Sequence, residues 1–229
     1  MKKKCDIVLI DSGINRKHEK LVGANMEGDT FKYDFGNDKA ILSEEGFDDL
    51  NGHGTAVFYL LHKLCKGAKI YTIKLDDEEL DSFLLQRALE YIYKEIDCFY
   101  IHLSIGVEYC DNVEELEAVC NQLSEKGVTI ISAFSNLGCI SYPAVFDSVI
   151  GVDEDRESRY INEYDFYDNC IVNVRIASTS LYVPWGTGGV VKVAGTSFST
   201  PFITAKLYND LGKTGSNLKC VKDKLRKDA

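Results

Sequence analysis

The sequence predicts an α/β fold in three layers, with a mostly parallel central sheet flanked by helices. Three observations carry that expectation. Short β-rich runs alternate with longer amphipathic ones, the pattern of strands joined by helical crossovers. Most strand candidates are near-continuous apolar runs, as expected of strands covered on both faces. Glycines close several of the helical segments, and no linker, repeat or low-complexity block divides the 229 residues. One domain over residues 1–229 is therefore expected.

The first strand is expected at Asp6 to Asp11, where Ile7-Val8-Leu9-Ile10 runs into Asp11-Ser12-Gly13. A helix over His53 to Lys66 stops at Gly67, and a strand follows from Lys69 to Leu75. The pattern continues with a helix at Ser82 to Ile96, a strand at Cys98 to Ser104 and a helix at Val113 to Lys126, closed by Gly127. Further strands are expected at Val128 to Phe134, Ser148 to Val152, Ile171 to Ile176 and Val190 to Val193, the last reading as buried. It breaks at Gly195 into a helix from Ser199 to Leu211, with Pro201 in its first turn, where a missing N–H is harmless. The basic tail from Lys219 to Lys227 reads as a frayed or surface helix.

Composition narrows the function. A formal charge of −10 excludes a phosphate-binding surface of the nucleic-acid type. No apolar run approaches the roughly 18 residues of a membrane span. The opening MKKKCDIVLIDSG is interrupted by Asp6 and Asp11, so it reads as a strand and not as an export signal. Eight cysteines with no CxxC pair give no support to a zinc or thioredoxin-type site, and reduced thiols in the cytoplasm are expected.

Parallel sheets place their chemistry at the carboxyl ends of strands. Asp11, Ser104, Asn136 and Ser197 lie at or near such ends, and His53 opens a helix between Gly52 and Gly54. Singly each has an ordinary reading: Asp11 as a turn residue, His53 or Ser197 as a helix cap, Asn136 as a turn former. Together they supply a nucleophile, a base, an acid to orient the base and an amide to hold an oxyanion. The order Asp, His, Ser along the chain matches one of the convergent triad orders. A nucleotide-binding domain is the weaker alternative, because no glycine loop is present to cradle a phosphate.

At five places, in order, the chain resembles the subtilisin-like serine proteases, the subtilases of peptidase family S8. VLIDSGI is similar to the family's aspartate motif and NGHGT to its histidine motif. IHLSIG resembles the Ser-Leu-Gly strand, SAFSNLGCISYPA the oxyanion-asparagine motif, and GTSFSTP the nucleophile motif. The resemblance implies Ser197 as nucleophile, His53 as general base, Asp11 as its orienting acid, and Asn136 with the Ser197 N–H as oxyanion donors. It also implies that Ser104, Ile105 and Gly106 bind an extended substrate backbone. Ala56 stands where the family commonly has histidine. The segment from His53 to Lys69 is too short for the family's usual calcium loop, so neither metal nor cofactor is expected.

Specificity is read from fewer residues. Asp76 lies in an acidic stretch that otherwise reads as a solvated helix opening. The resemblance implies instead that this loop supplies acids near the substrate, with Glu108 facing the same cleft, so a mild preference for Lys or Arg near the cut is expected. Phe134 and Val107, larger than the family's residues, are expected to narrow the pocket. The resemblance thus implies a serine endopeptidase acting on a peptide or protein substrate. With no export signal or prodomain visible, limited intracellular processing of a precursor peptide is expected. General intracellular proteolysis and a catalytically silent peptide-binding module are the alternatives.

Overall fold

The computed structural model describes residues 2–34, 39–43, 46–75, 80–155, 163–168, 170–178, 180–186, 188–212 and 217–229. Its strands are β1 (Lys3–Lys4), β2 (Ile7–Asp11), β3 (Glu27–Asp34), β4 (Lys39–Ser43), β5 (Ile70–Leu75), β6 (Ile96–Asp97), β7 (Tyr100–Leu103), β8 (Thr129–Ala133), β9 (Val149–Asp155), β10 (Tyr164–Phe166), β11 (Val174–Ala177), β12 (Leu181–Pro184) and β13 (Val190–Val193). Its helices are α1 (His53–Leu64), α2 (Ser82–Glu95), α3 (Val113–Glu125), α4 (Thr196–Leu211) and α5 (Leu218–Asp228).

Nine strands form one sheet in the order β10-β11-β9-β8-β7-β2-β5-β3-β4. Every pairing is parallel except the two at the edges, β10 with β11 and β4 with β3. The alternation of side chains along β2 explains the layers. Ile7 and Leu9 join the core under α1, α4 and α5, whereas Val8 and Ile10 join the core under α2 and α3. Each face thus demands an apolar residue, which produces the uninterrupted run Ile7-Val8-Leu9-Ile10.

After β2 the chain builds β3, β4 and β5 on one side of it and then β7 on the other, so the topology switches at the carboxyl end of β2. Ile10 pairs with Leu103, and Leu103 with Ser132. The residues that follow, Asp11, Ser104 and Ala133, therefore form a row along the same rim.

Three expectations need correction. Val190–Val193 pairs with β12 in a separate two-stranded hairpin, and Val190 and Val191 are exposed. Valine suits any pleated strand, so the apolar run did not reveal that this one lies outside the main sheet. The helix expected from Ser199 begins at Thr196, which places Pro201 inside it. The basic tail is an amphipathic helix, α5, whose Val221 and Leu225 are fully buried. Their burial stabilises its attachment by about 1.5–3 kcal/mol each.

Candidate active site

Two helices begin at the switch point, and each brings a polar side chain. His53 is the first residue of α1 and Ser197 the second of α4. Such helix ends carry unpaired N–H groups and favour developing negative charge.

His53 reaches Asp11 because α1 starts against the β2 turn. A Cβ on Gly54 would lie 2.3 Å from the Gly13 carbonyl oxygen, so only glycine permits this approach. The Gly54 N–H also donates to the Ser12 hydroxyl at 2.9 Å. The His53 Nδ1 then lies 2.7 Å from Asp11 Oδ1, which also accepts the Ser12 N–H at 2.8 Å. Asp11 is fully buried, while the His53 ring is partly open to solvent. A buried carboxylate on Nδ1 favours the tautomer that leaves Nε2 as the basic atom.

The sequence reading missed the group that holds this start in place. Asp49, itself buried, accepts the N–H groups of Asn51 and Gly52, the N–H and hydroxyl of Thr55, and the Ser12 hydroxyl. It therefore caps α1 from outside, in place of a side chain at the Gly52 cap position. The signal was present in Asp49-Leu50-Asn51-Gly52, an acid two residues before the N–H it turns to meet. Asp49→Ala strands several buried donors at once and is expected to cost about 3 kcal/mol. Urea unfolding checks this, and a loss below about 1 kcal/mol would show that Asp49 is dispensable.

Asn136 is held through its carbonyl. Its Oδ1 accepts the Thr196 N–H at 2.9 Å, which turns the amide NH2 to the opposite side. Gly195, at φ +126, lies so close that a Cβ there would sit 2.9 Å from Asn136 Oδ1. The Thr196 hydroxyl donates to the Phe134 carbonyl at 2.7 Å and ties the start of α4 to the end of β8. Thr196 is a second positioning residue, beside Asp49.

The Ser197 hydroxyl donates to the Ser104 carbonyl at 2.9 Å, and the Ser104 hydroxyl donates to the Ser197 carbonyl at 2.8 Å. Ser104, Ile105, Gly106, Glu108, Phe134, Asn136 and Ser197 border one cavity of about 310 Å³. Phe134 is buried with its ring over Gly151, so it occupies the wall of this space. Val107 does not border it; it bridges Tyr142 backbone to backbone. Glu108 borders the cavity beside Ser135, whose hydroxyl donates to Glu108 Oε1 at 2.7 Å. Asp76 falls outside the described residues.

His18 is buried, with Nε2 2.9 Å from the Gly189 carbonyl oxygen. It helps fasten the β12–β13 hairpin over the Asp11 turn, together with Asn15, whose amide donates to the Gly186 carbonyl at 2.6 Å. Among the described residues no group of three or more His, Cys, Asp or Glu is arranged to hold a metal ion. No described helix is long and apolar enough to cross a membrane.

The model of the subtilase family, Peptidase_S8, matches residues 2–208. Solved structures with the same fold include a cold adapted subtilisin-like serine proteinase, at 20% identity and a TM-score of 0.73, covering 98% of this chain and 81% of that one. Sphericase aligns at 20% identity with a TM-score of 0.70, over 100% of this chain and 85% of its own. The prenylagaramide maturation protease PagA aligns at 18% identity with a TM-score of 0.66, over 94% and 81%. No curated protein matches the chain at the level of sequence.

Proposed function

The chain belongs to the subtilase family and is a serine endopeptidase, and on that premise we propose that Asp11, His53 and Ser197 are its catalytic triad. The 2.7 Å contact between the His53 imidazole and the buried Asp11 carboxylate carries this reading. Ser197 Oγ leaves its resting bond to the Ser104 carbonyl, gives its proton to His53 Nε2 and attacks the scissile carbonyl carbon. The resulting oxyanion is held by the Asn136 NH2 and the Ser197 N–H at the start of α4. His53 then passes the proton to the leaving amine. Water, deprotonated by the same nitrogen, releases the acyl group from Ser197. The residues of this chain supply every proton transfer in the sequence.

The substrate proposed is an extended peptide lying along Ser104-Ile105-Gly106, with a basic side chain near the cut. Glu108 supports that preference, because it is an exposed carboxylate that borders the cavity. A Lys or Arg side chain entering there exchanges a neutral Ser135 partner for a charged one. The physiological role proposed is limited processing of a precursor peptide in the cytoplasm. The eight unpaired cysteines suit a reducing compartment. Among proteins of this fold, PagA is itself a maturation protease.

Cleavage of a randomised peptide library, mapped by mass spectrometry, tests the substrate. Wild type is expected to favour Lys or Arg beside the scissile bond by about 10-fold over Leu, and Glu108→Gln to lose most of that margin. Equal cleavage of Lys and Leu peptides by wild type would remove Glu108 from specificity. Casein digestion as rapid as that of any single precursor would favour general proteolysis.

A further inference from the structure

Tyr100, His102 and Ser104 point from β7 toward α4, as alternate residues of a strand do. Tyr100 and His102 are buried in the sheet–helix interface, the histidine completely. His102 is the only one of the four histidines that sits in the middle of a sheet strand among the described residues. Its Nδ1 is 2.8 Å from the Thr204 hydroxyl and its Nε2 is 2.8 Å from the Ser104 hydroxyl.

The direction of each bond follows from the last one. The Ser104 hydroxyl has a single proton, and it goes to the Ser197 carbonyl. Ser104 Oγ must therefore accept from His102, so Nε2 carries the ring proton and Nδ1 accepts the Thr204 hydroxyl. The Ser197 carbonyl needs this outside donor for a reason visible in the sequence. In an α-helix it would accept the N–H four residues on, and that residue is Pro201, which has none. Burial, with His53 as the neighbouring titratable group, pushes the His102 pKa down to about 3, which keeps the ring neutral over the working range.

We propose that His102 is a positioning residue for the nucleophile: through the Thr204–His102–Ser104 chain it supplies the hydrogen bond that Pro201 removes from the Ser197 carbonyl, and so fixes the peptide from which the Ser197 hydroxyl projects. The inference rests on the reading of Ser197 as nucleophile. The Ser104 hydroxyl, with its proton committed to the Ser197 carbonyl, is also kept from presenting that proton to the Ser197 oxygen.

Three measurements on the full chain test it. Long-range 1H–15N spectra of the imidazoles are expected to show one ring protonated at Nε2 and unchanged between pH 8 and pH 5, absent in His102→Gln. His102→Leu is expected to lower kcat by about 10- to 100-fold with KM within about two-fold, because the nucleophile is misaimed while the peptide cleft is intact. His102→Gln, whose amide can donate to Ser104, is expected to recover most of that loss. Ser104→Ala combined with His102→Leu is expected to be no slower than the worse single variant, since both break one chain. An Nδ1–H tautomer, a ring titrating near pH 6.5, or full kcat in His102→Leu would overturn the proposal. So would independent, multiplying losses in the double variant. If His102→Leu does not fold, Thr204→Val and the wild-type spectra decide: an Nδ1–H tautomer in wild type, or an unchanged kcat in Thr204→Val, would overturn it. Failure of a fluorophosphonate to label Ser197 in wild type would instead sink the nucleophile reading, whatever the tautomer.

Discussion

Ser197→Ala is expected to abolish labelling by a fluorophosphonate and to lower kcat by about 10⁶-fold, a magnitude carried over from subtilisin, the family's type enzyme. The fold is expected to survive almost unchanged. Among the described residues the Ser197 hydroxyl donates to the Ser104 carbonyl, and losing that bond costs about 1 kcal/mol. The bond that holds the helix start, from the Ser104 hydroxyl to the Ser197 backbone carbonyl, does not involve the missing atom. Retained activity, or retained labelling at another serine, would remove Ser197 from the chemistry. Such a large loss of rate beside a small change in unfolding midpoint would separate the chemical role from a helix-capping one.

Asp11→Asn carries the second largest expectation, a fall in kcat of about 10⁴-fold. The carboxylate accepts both the His53 Nδ1 proton and the Ser12 N–H on one oxygen. An amide can meet both only if its carbonyl keeps that place. If its NH2 turns there instead, the imidazole must present a bare Nδ1, the ring proton moves to Nε2, and the base is lost. The Asp11 side chain is fully buried, so removing its charge also removes a desolvated carboxylate, and stability is expected to hold. Thermal unfolding with steady-state kinetics on a peptide substrate checks both halves. A variant within 10-fold of wild type would show that Asp11 is structural.

Much of this was legible in the residues alone. Ile7-Val8-Leu9-Ile10 announced a strand covered on both faces because each face of β2 does meet its own core. The contact between Asp11 and His53 was legible as chemistry, since a carboxylate at a strand end and an imidazole between glycines have few other uses in common. Less was legible where one sequence pattern serves two structures. Val190–Val193 has the composition of a central strand, yet it forms an exposed hairpin. Glu27–Asp34 and Lys39–Ser43, polar enough to pass for loops, form an edge of the main sheet. An edge strand is only half covered and needs no apolar run. The tail that reads as a basic surface segment buries Val221 and Leu225 one helical turn apart.

What the sequence by itself determined was the alternation of strand and helix, the order of the side chains proposed as the triad and the family pattern that joins them. These depend on local periodicity and residue chemistry, which a linear string carries in full. Only the tertiary structure decided which side chains hold those groups in aim. Asp49 beneath the start of α1 meets Ser12 across 37 residues, Thr196 meets Asn136, and His102 behind Ser104 meets Thr204 across about 100. The reason is physical. A buried hydrogen bond takes its meaning from which donor lies within about 3 Å in space, and separation along the chain does not reveal that distance.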